Sequence, residues 1–186
     1  MESNEFQPTE TPVINPSPVN TAMKYGLMAG VLLIILTVIF YMMNYMPKGA
    51  INVFPFLIIG GFTIYGCINY REEECGGFLS YGSAFKIGVL IALFASIILG
   101  AYNYVFYQFI DPSYVEVILA AEEESLNEKN LPQETIDKRM ELIRSYTSPM
   151  LLSISTIIMF LISGLFISLI TSIFVKKEKP FFDTNR

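Results

Sequence analysis

The sequence predicts an all-α membrane protein: a bundle of four transmembrane helices, with an extracytoplasmic amphipathic helical hairpin between spans three and four. Hydrophobic residues make up 53% of the 186 residues, which is too apolar for an ordinary soluble domain. Four apolar runs reach the length of about 20 residues that a helix needs to cross a hydrocarbon core. Strands of a membrane barrel would be shorter and would alternate in polarity, so helices are the expected elements.

The four predicted spans are apolar runs with almost no charged side chains. They cover residues 23–46, 51–70, 84–110 and 149–175. The turn between the first two spans is short, which makes them an antiparallel pair. With the connection between spans three and four, these runs form one predicted membrane domain, residues 23–175.

Two polar tails flank this domain. Residues 1–22 contain four prolines, no basic residue and no apolar periodicity, and we expect a disordered cytoplasmic tail there. Residues 176–186 form a second, basic tail. Lys and Arg are modestly more frequent on the side that holds both termini. The positive-inside rule therefore predicts a multi-pass protein of the bacterial cytoplasmic (inner) membrane with both termini in the cytoplasm.

The connection 111–148 is too long for a simple turn and carries nine acidic against four basic residues. We expect two amphipathic helices, over residues 113–129 and 131–146, because each segment has a proline near its start and apolar residues at helical spacing. Such a pair is most simply a cap folded over the outer ends of the spans. A partner-binding surface is the alternative interpretation.

Small residues recur at helical spacing in three of the spans. In lipid, small side chains let helix backbones approach and make dispersion contacts. The interpretation we prefer is packing within one bundle, and a seam between two copies of the chain is the alternative. The predicted helix-packing residues are Gly26, Gly30, Ala84, Gly88, Ala92, Ser96, Gly100, Gly164, Ser168 and Ser172.

Polar and aromatic residues gather near one end of spans one and three. The candidate polar cluster consists of Asn44, Tyr102, Asn103 and Tyr107. Tyrosines are typical of a membrane interface, and the asparagines fit either interhelical hydrogen bonds or the lining of a polar cavity.

Several classes of chemistry lack the residues that they require. The chain has no His and two Cys, and no charged residue lies in the middle of a span. The acidic run 72–74 lacks a defined metal-ligand spacing, and no catalytic motif or basic patch for nucleic acid is present. We therefore predict no catalytic, cofactor-binding or metal-binding residues, no cofactor and no nucleic-acid partner.

Four stretches resemble a known family. They are "KYGLMAG" (24–30), "GGFLSYGSAFKIGVLIAL" (76–93), "YNYVFYQFIDPSY" (102–114) and "SIFVKKEKP" (172–180). Over roughly residues 22–180 the chain resembles the bacterial membrane family catalogued as domain of unknown function 4199, common in the Bacteroidota. The resemblance implies a four-span inner-membrane protein with an extracytoplasmic helical insertion. It implies no activity and no site residues.

The functional hypothesis from the sequence is a non-enzymatic integral membrane protein that acts as an accessory or interaction subunit. Its expected partners are the lipid bilayer and either a protein partner or further copies of itself. The alternative hypothesis is an oligomeric small-solute transporter or channel component. Four helices cannot enclose much of a pore, so this alternative requires oligomers.

Overall fold

The fold is all-α in the residues that the structure, a computed structural model, describes: 17–44, 53–129 and 131–178. The helices are α1 (Pro18–Met42), α2 (Phe54–Asn69), α3 (Tyr81–Val105), α4 (Tyr114–Glu128), α5 (Gln133–Tyr146) and α6 (Pro149–Val175). The α2 and α3 helices each continue into a π-helical turn, Tyr70–Glu74 and Phe106–Ile110. Within these ranges no β-strand forms, and Leu79 and Lys177 make an isolated antiparallel bridge.

Among the described residues, three helices are long and apolar enough to cross a membrane: Pro18–Met42, Tyr81–Ile110 and Pro149–Val175. The chain is therefore a multi-pass membrane protein. The predicted second span is represented by α2, whose 16 residues fall short of this group. At the helical rise per residue, α2 is about 24 Å long, somewhat less than a typical hydrocarbon core.

The helix boundaries differ from the predicted ones at the start of the first span. We expected residues 18–22 to belong to a disordered tail, but α1 begins at Pro18. Proline suits this place because its missing N–H would have no partner in the first helical turn and its φ is already helical. The rest of the predicted N-terminal tail, the turn between spans one and two, and most of the basic tail lie outside the described residues.

The α3 helix is the centre of the bundle. It packs against α1 on one side and α6 on another, and α2 contacts all three of these helices. The buried face of α3 alternates small and branched residues, among them Ala84, Ile87, Ile91 and Ala95. Two apolar clusters therefore run along the bundle axis, each with contributions from several helices.

The outward faces of α1, α2 and α6 are as apolar as the inside. Val31, Leu57 and Phe166 are 52%, 61% and 64% exposed. Exposed apolar surface on this scale is unfavourable in water but matches the acyl chains of a bilayer. The pattern indicates that lipid is the medium around the bundle.

The α4 and α5 helices form a hairpin with its own core. Leu119 and Leu126 of α4 are buried against Ile136 and Met140 of α5. No bundle residue belongs to this cluster, although α4 begins directly after the last turn of α3. The hairpin is thus a small helical unit at one end of the bundle. We call that end, where α3 finishes and α6 begins, the hairpin end, and the opposite one the loop end.

Candidate functional site

The predicted helix-packing glycines of α1 face α3 of the same chain. A Cβ placed on Gly26 would lie 2.6 Å from the Cβ of Phe94, and one on Gly30 would lie 3.0 Å from the Cβ of Ile98. The first distance is too short for two carbon atoms that are not bonded, and the second is so tight that Ile98 would have to move by a few tenths of an ångström. The backbones of α1 and α3 therefore approach as closely as they do because these positions carry no side chain.

The predicted small residues of α3 and α6 face each other in a similar way. A Cβ on Gly88 would lie 2.5 Å from the hydroxyl oxygen of Ser168, a Cβ on Gly164 would overlap the Cβ of Ala92, and one on Gly100 would overlap Ile157. The remaining members of the predicted set, namely Ala84, Ser96 and Ser172, are buried as well. Ala84 also accepts a hydrogen bond from the Cys67 thiol, at 3.4 Å.

One buried pair of hydroxyl groups beside Gly88 was not predicted. The side-chain oxygens of Thr63 and Ser168 are fully buried and have no hydrogen-bond partner among the described residues. Thr63 lies on α2, so the α2, α3 and α6 helices meet here. Ser168 was predicted for its size alone, and no pattern in α2 singles out Thr63.

The predicted polar cluster is divided by the structure. Asn103 is buried and donates a hydrogen bond from Nδ2 to the Thr156 hydroxyl, at 3.2 Å. Tyr107 lies one turn further along α3, and its ring stacks on Tyr114 with 6.3 Å between the ring centroids. Tyr102 stacks on Phe106 instead. The structure thus brings Asn103 and Tyr107 together and leaves Tyr102 beside them.

Asn44 has a different position. It follows the end of α1 with a φ of 49° and is exposed. Asparagine is one of the few residues other than glycine that adopt this left-handed conformation, which commonly ends a helix. Asn44 therefore closes the last turn of α1, and it does not line the cavity described next.

A cavity of about 230 Å³ opens beside Asn103 and Tyr107, near the hairpin end. Its walls come from all four bundle helices and from the first residue of α4. Most of the lining is apolar or aromatic, and the polar groups are hydroxyls and one amide. The lining residues are Leu33, Leu36, Thr37, Phe40, Tyr41, Pro55, Leu99, Asn103, Phe106, Tyr107, Tyr114, Thr156 and Phe160.

An aromatic cluster links this cavity to the hairpin. The rings of Tyr41, Phe106 and Tyr114 meet edge to face, with centroids 4.9 to 5.6 Å apart. Edge-to-face pairs at such distances contribute attraction beyond the burial of their area. The cluster fixes the start of α4 against the last turn of α3 and the end of α1.

Asp111 completes this junction. Its carboxylate accepts hydrogen bonds from the hydroxyls of Ser113 and Tyr41, the latter at 2.9 Å. These bonds, the Ser113 bond first, hold the pKa of Asp111 below its ordinary value. Burial, with a smaller contribution from Asp111, raises the pKa of Tyr114. The bond of Asp111 to Tyr41 joins residues 70 positions apart, which no local pattern reveals.

The loop end is held by Arg71 and by the acidic run that follows it. Arg71 Nη1 donates a hydrogen bond to the Val175 carbonyl at the end of α6, at 2.9 Å, while the same side chain pairs with Glu72. Glu74 accepts a hydrogen bond from Thr21 in α1, at 2.7 Å. These residues therefore join the π-helical end of α2 to both α6 and α1.

Metal-ligating residues do not come together in the part of the chain that the structure describes: no group of three Cys, Asp or Glu side chains could hold an ion. The side chains of Glu72 and Glu74 are engaged with Arg71 and Thr21. That the protein has no catalytic residue, no cofactor and no metal stays a prediction.

These features define the class of the protein: a multi-pass helical membrane protein with a packed bundle and a helical hairpin at one end. A family model matches residues 24–177, and the chain belongs to that family, which is described as Protein of unknown function (DUF4199). No curated protein and no solved structure matches the chain. The predicted resemblance is confirmed as to the family, while an origin in the Bacteroidota stays a prediction.

Proposed function

We propose that the protein is a non-enzymatic accessory or interaction subunit of the bacterial cytoplasmic membrane, with the α4–α5 hairpin as its platform for a protein partner. The observation that carries the proposal is the construction of the hairpin. It has an apolar core of its own and an outer surface rich in charged groups, and the aromatic cluster holds it at a fixed place on the bundle.

The proposed topology has four spans, with α2 as the second. The run from Phe54 to Tyr70 contains no charged residue, and its exposed side chains include Leu57, Ile64 and Tyr65. A water-exposed helix would not present these residues. Its roughly 17 residues also lie at the short end of the range for membrane-spanning helices.

The proposed orientation places the loop end in the cytoplasm and the hairpin outside it. Lys176 and Lys177 follow α6 directly, and Arg71 follows α2, so basic residues gather at the loop end. Labelling of Cys75, which is partly exposed in the loop, tests this orientation. An impermeant thiol reagent applied to intact spheroplasts should leave Cys75 unmodified until the membrane is opened. Labelling before opening would invert the orientation.

The surface of the hairpin supports a partner whose contact face is basic. Glu122, Glu123 and Glu128 are exposed on α4, and Glu134 on α5 pairs with Lys138 of its own helix, at 2.7 Å and in solvent. Exposed apolar residues such as Leu142 lie among these charges. Acidic groups around apolar contacts favour a protein partner over anionic lipid, which would repel them.

Purification from native membranes under mild conditions tests the proposal. We expect a second protein at fixed stoichiometry, crosslinked from a photoreactive residue at Leu142 and lost in the charge-reversed variant Glu122→Lys/Glu123→Lys. A photoreactive residue at Ile35, which is 49% exposed on the bundle, is the matched control and should crosslink lipid. Recovery of a monomer without any partner would contradict the proposal.

The cavity favours a second candidate function, an oligomeric small-solute transporter or channel component. It has room for a small solute, although the described residues that line it carry no charged group. Purified protein in liposomes separates the two functions. A symmetric homo-oligomer with solute flux would support the transporter, whereas a heterologous complex without flux would support the accessory subunit.

A further inference from the structure

The cavity at the hairpin end contains an unused hydrogen-bond acceptor. Asn103 is 7% exposed, and its Nδ2 donates to the Thr156 hydroxyl. Its Oδ1 accepts no hydrogen bond within the described residues, and Asn103 lines the cavity. The Asn103 side chain thus presents an amide oxygen without a protein donor to a mostly apolar cavity. A bound group that supplies a donor can use this acceptor.

The other polar groups of the lining are already committed or are donors themselves. The Thr37 hydroxyl donates to the Leu33 carbonyl at 2.9 Å, and the Thr156 hydroxyl donates to the Leu152 carbonyl at 2.9 Å. The Tyr41 hydroxyl donates to Asp111, outside the lining. No charged side chain lines the cavity in the part of the chain that the structure describes, and an ionic ligand without a counter-charge is disfavoured.

The remaining walls set the size and shape of the ligand. Aromatic rings of Phe40, Tyr41, Phe106, Tyr107 and Tyr114 approach from one end, and Leu33, Leu99 and Phe160 close the other. An apolar protein cavity of about 150 Å³ is large enough to bind benzene. The volume of about 230 Å³ therefore suits a molecule of one to two rings.

From this geometry we infer that the cavity binds a small, neutral aromatic molecule with a single N–H or O–H donor, which bonds to Asn103 Oδ1 while the rings pack against the ligand. The site lies among bundle helices and the first residue of α4. It is independent of a partner on the outer surface of the hairpin.

Indole is a suitable probe because the chain contains no tryptophan, so that excitation beyond the tyrosine band reports indole alone. Protein in lipid nanodiscs is titrated with indole and with 1-methylindole, which lacks the donor, and empty nanodiscs supply the partition baseline. We expect saturable, blue-shifted emission from indole above that baseline. Binding of 1-methylindole should be about tenfold weaker, the effect of one hydrogen bond of average strength.

Two variants complete the experiment. Asn103→Leu removes the acceptor and should abolish the preference for indole over its methylated form. Leu36→Phe, which leaves Asn103 and Thr156 in place, should fill the cavity and weaken both ligands alike; Leu57→Phe on the outside of α2 is the control and should change neither. Equal affinity of the two indoles for the unmodified protein, or emission that follows lipid content without saturation, would overturn the inference.

Discussion

The helices of the bundle and the helices of the hairpin pack through different kinds of residue: small residues in the bundle, and large apolar side chains in the hairpin. Where α3 meets α6, Gly88 faces Ser168 and Gly164 faces Ala92, so the backbones themselves approach. Where α4 meets α5, the contact is made by Leu119, Leu126, Ile136 and Met140.

The difference follows from the medium. Burying a large apolar side chain removes it from water in the hairpin, but in a bilayer the side chain only exchanges lipid for protein. Close approach of the helix backbones creates dense dispersion contacts, and these contacts stabilise the association of helices in lipid. The packing style itself therefore supports a bundle in the membrane and a hairpin outside it.

The largest effect is expected from Gly164→Leu. Its side chain would overlap Ala92 in the middle of the α3–α6 contact. Overpacking typically costs about 1–3 kcal/mol, and we expect the upper end or more because four carbon atoms are added. We expect loss of the folded monomer, seen as a lower thermal midpoint in detergent by circular dichroism. Gly61→Leu is the control, because no atom lies within 4 Å of a Cβ at that position.

If Gly164→Leu leaves a stable monomer and changes only the size of an oligomer, the small residues form a seam between chains. In that case the small residues would not be what packs the helices within one bundle.

Leu126→Ala tests whether large apolar side chains hold the hairpin together. Leu126 is 2% exposed in the hairpin core, and shortening a buried leucine costs at least about 2 kcal/mol. We expect faster amide hydrogen exchange throughout α4 and α5, with no change in α3 or α6. Leu142→Ala, at a residue that is 61% exposed, should have almost no effect. Equal destabilisation of hairpin and bundle would show that they form one cooperative unit.

Tyr41→Phe tests the contact between the bundle and the start of α4. It removes the hydrogen bond to Asp111 and keeps the ring contacts with Phe106 and Tyr114. We expect amide exchange at the start of α4 to increase severalfold, while the hairpin core stays protected. Tyr104→Phe is the matched control on α3, since its ring contacts Phe109 and its hydroxyl forms no hydrogen bond in the described residues. Unchanged amide exchange at the start of α4 would mean that the aromatic rings alone hold α4 against the bundle.

We expect pH to have a smaller effect on amide exchange in α4. The pKa of Asp111 is lowered in the folded protein, so its contribution is fully present above the unfolded pKa and is lost as the pH falls through the folded pKa. The difference in α4 exchange between the unmodified protein and Asp111→Asn should stay constant from pH 7 down to about pH 5. It should shrink only below about pH 3.9, the ordinary pKa of an aspartate. Shrinkage above pH 5 would contradict the lowered pKa.

Much of the fold could be predicted from the sequence because lipid imposes long apolar runs and caps mark helix starts. The apolar runs predicted the helices α1, α3 and α6. A proline near each start, followed by apolar residues at helical spacing, predicted α4 and α5. Ser80 caps the start of α3, and its hydroxyl accepts a hydrogen bond from the Ser83 N–H at 3.3 Å. The start of α1 was missed because several prolines before it indicated disorder, although a proline also suits the first turn of a helix.

The candidate site could be predicted only in part. Asn103 and Tyr107 stood out as polar residues in an apolar run, but their partners did not. Thr156 lies 53 residues away in α6, and threonine is common in spans that contain no site. Cavities also leave no local pattern, because they depend on which side chains from separate helices fail to meet. The contact of Arg71 with Val175, 104 residues apart, could not be predicted for the same reason.

The contacts at the loop end have a consequence for how the protein is made. The bridge between Leu79 and Lys177 and the bond from Arg71 to Val175 join early segments to residues that leave the ribosome much later. The helices α1 to α3 can associate during synthesis, but the loop after α2 stays open until α6 has been inserted. Formation of the contact between Arg71 and Val175 would therefore mark the completion of insertion.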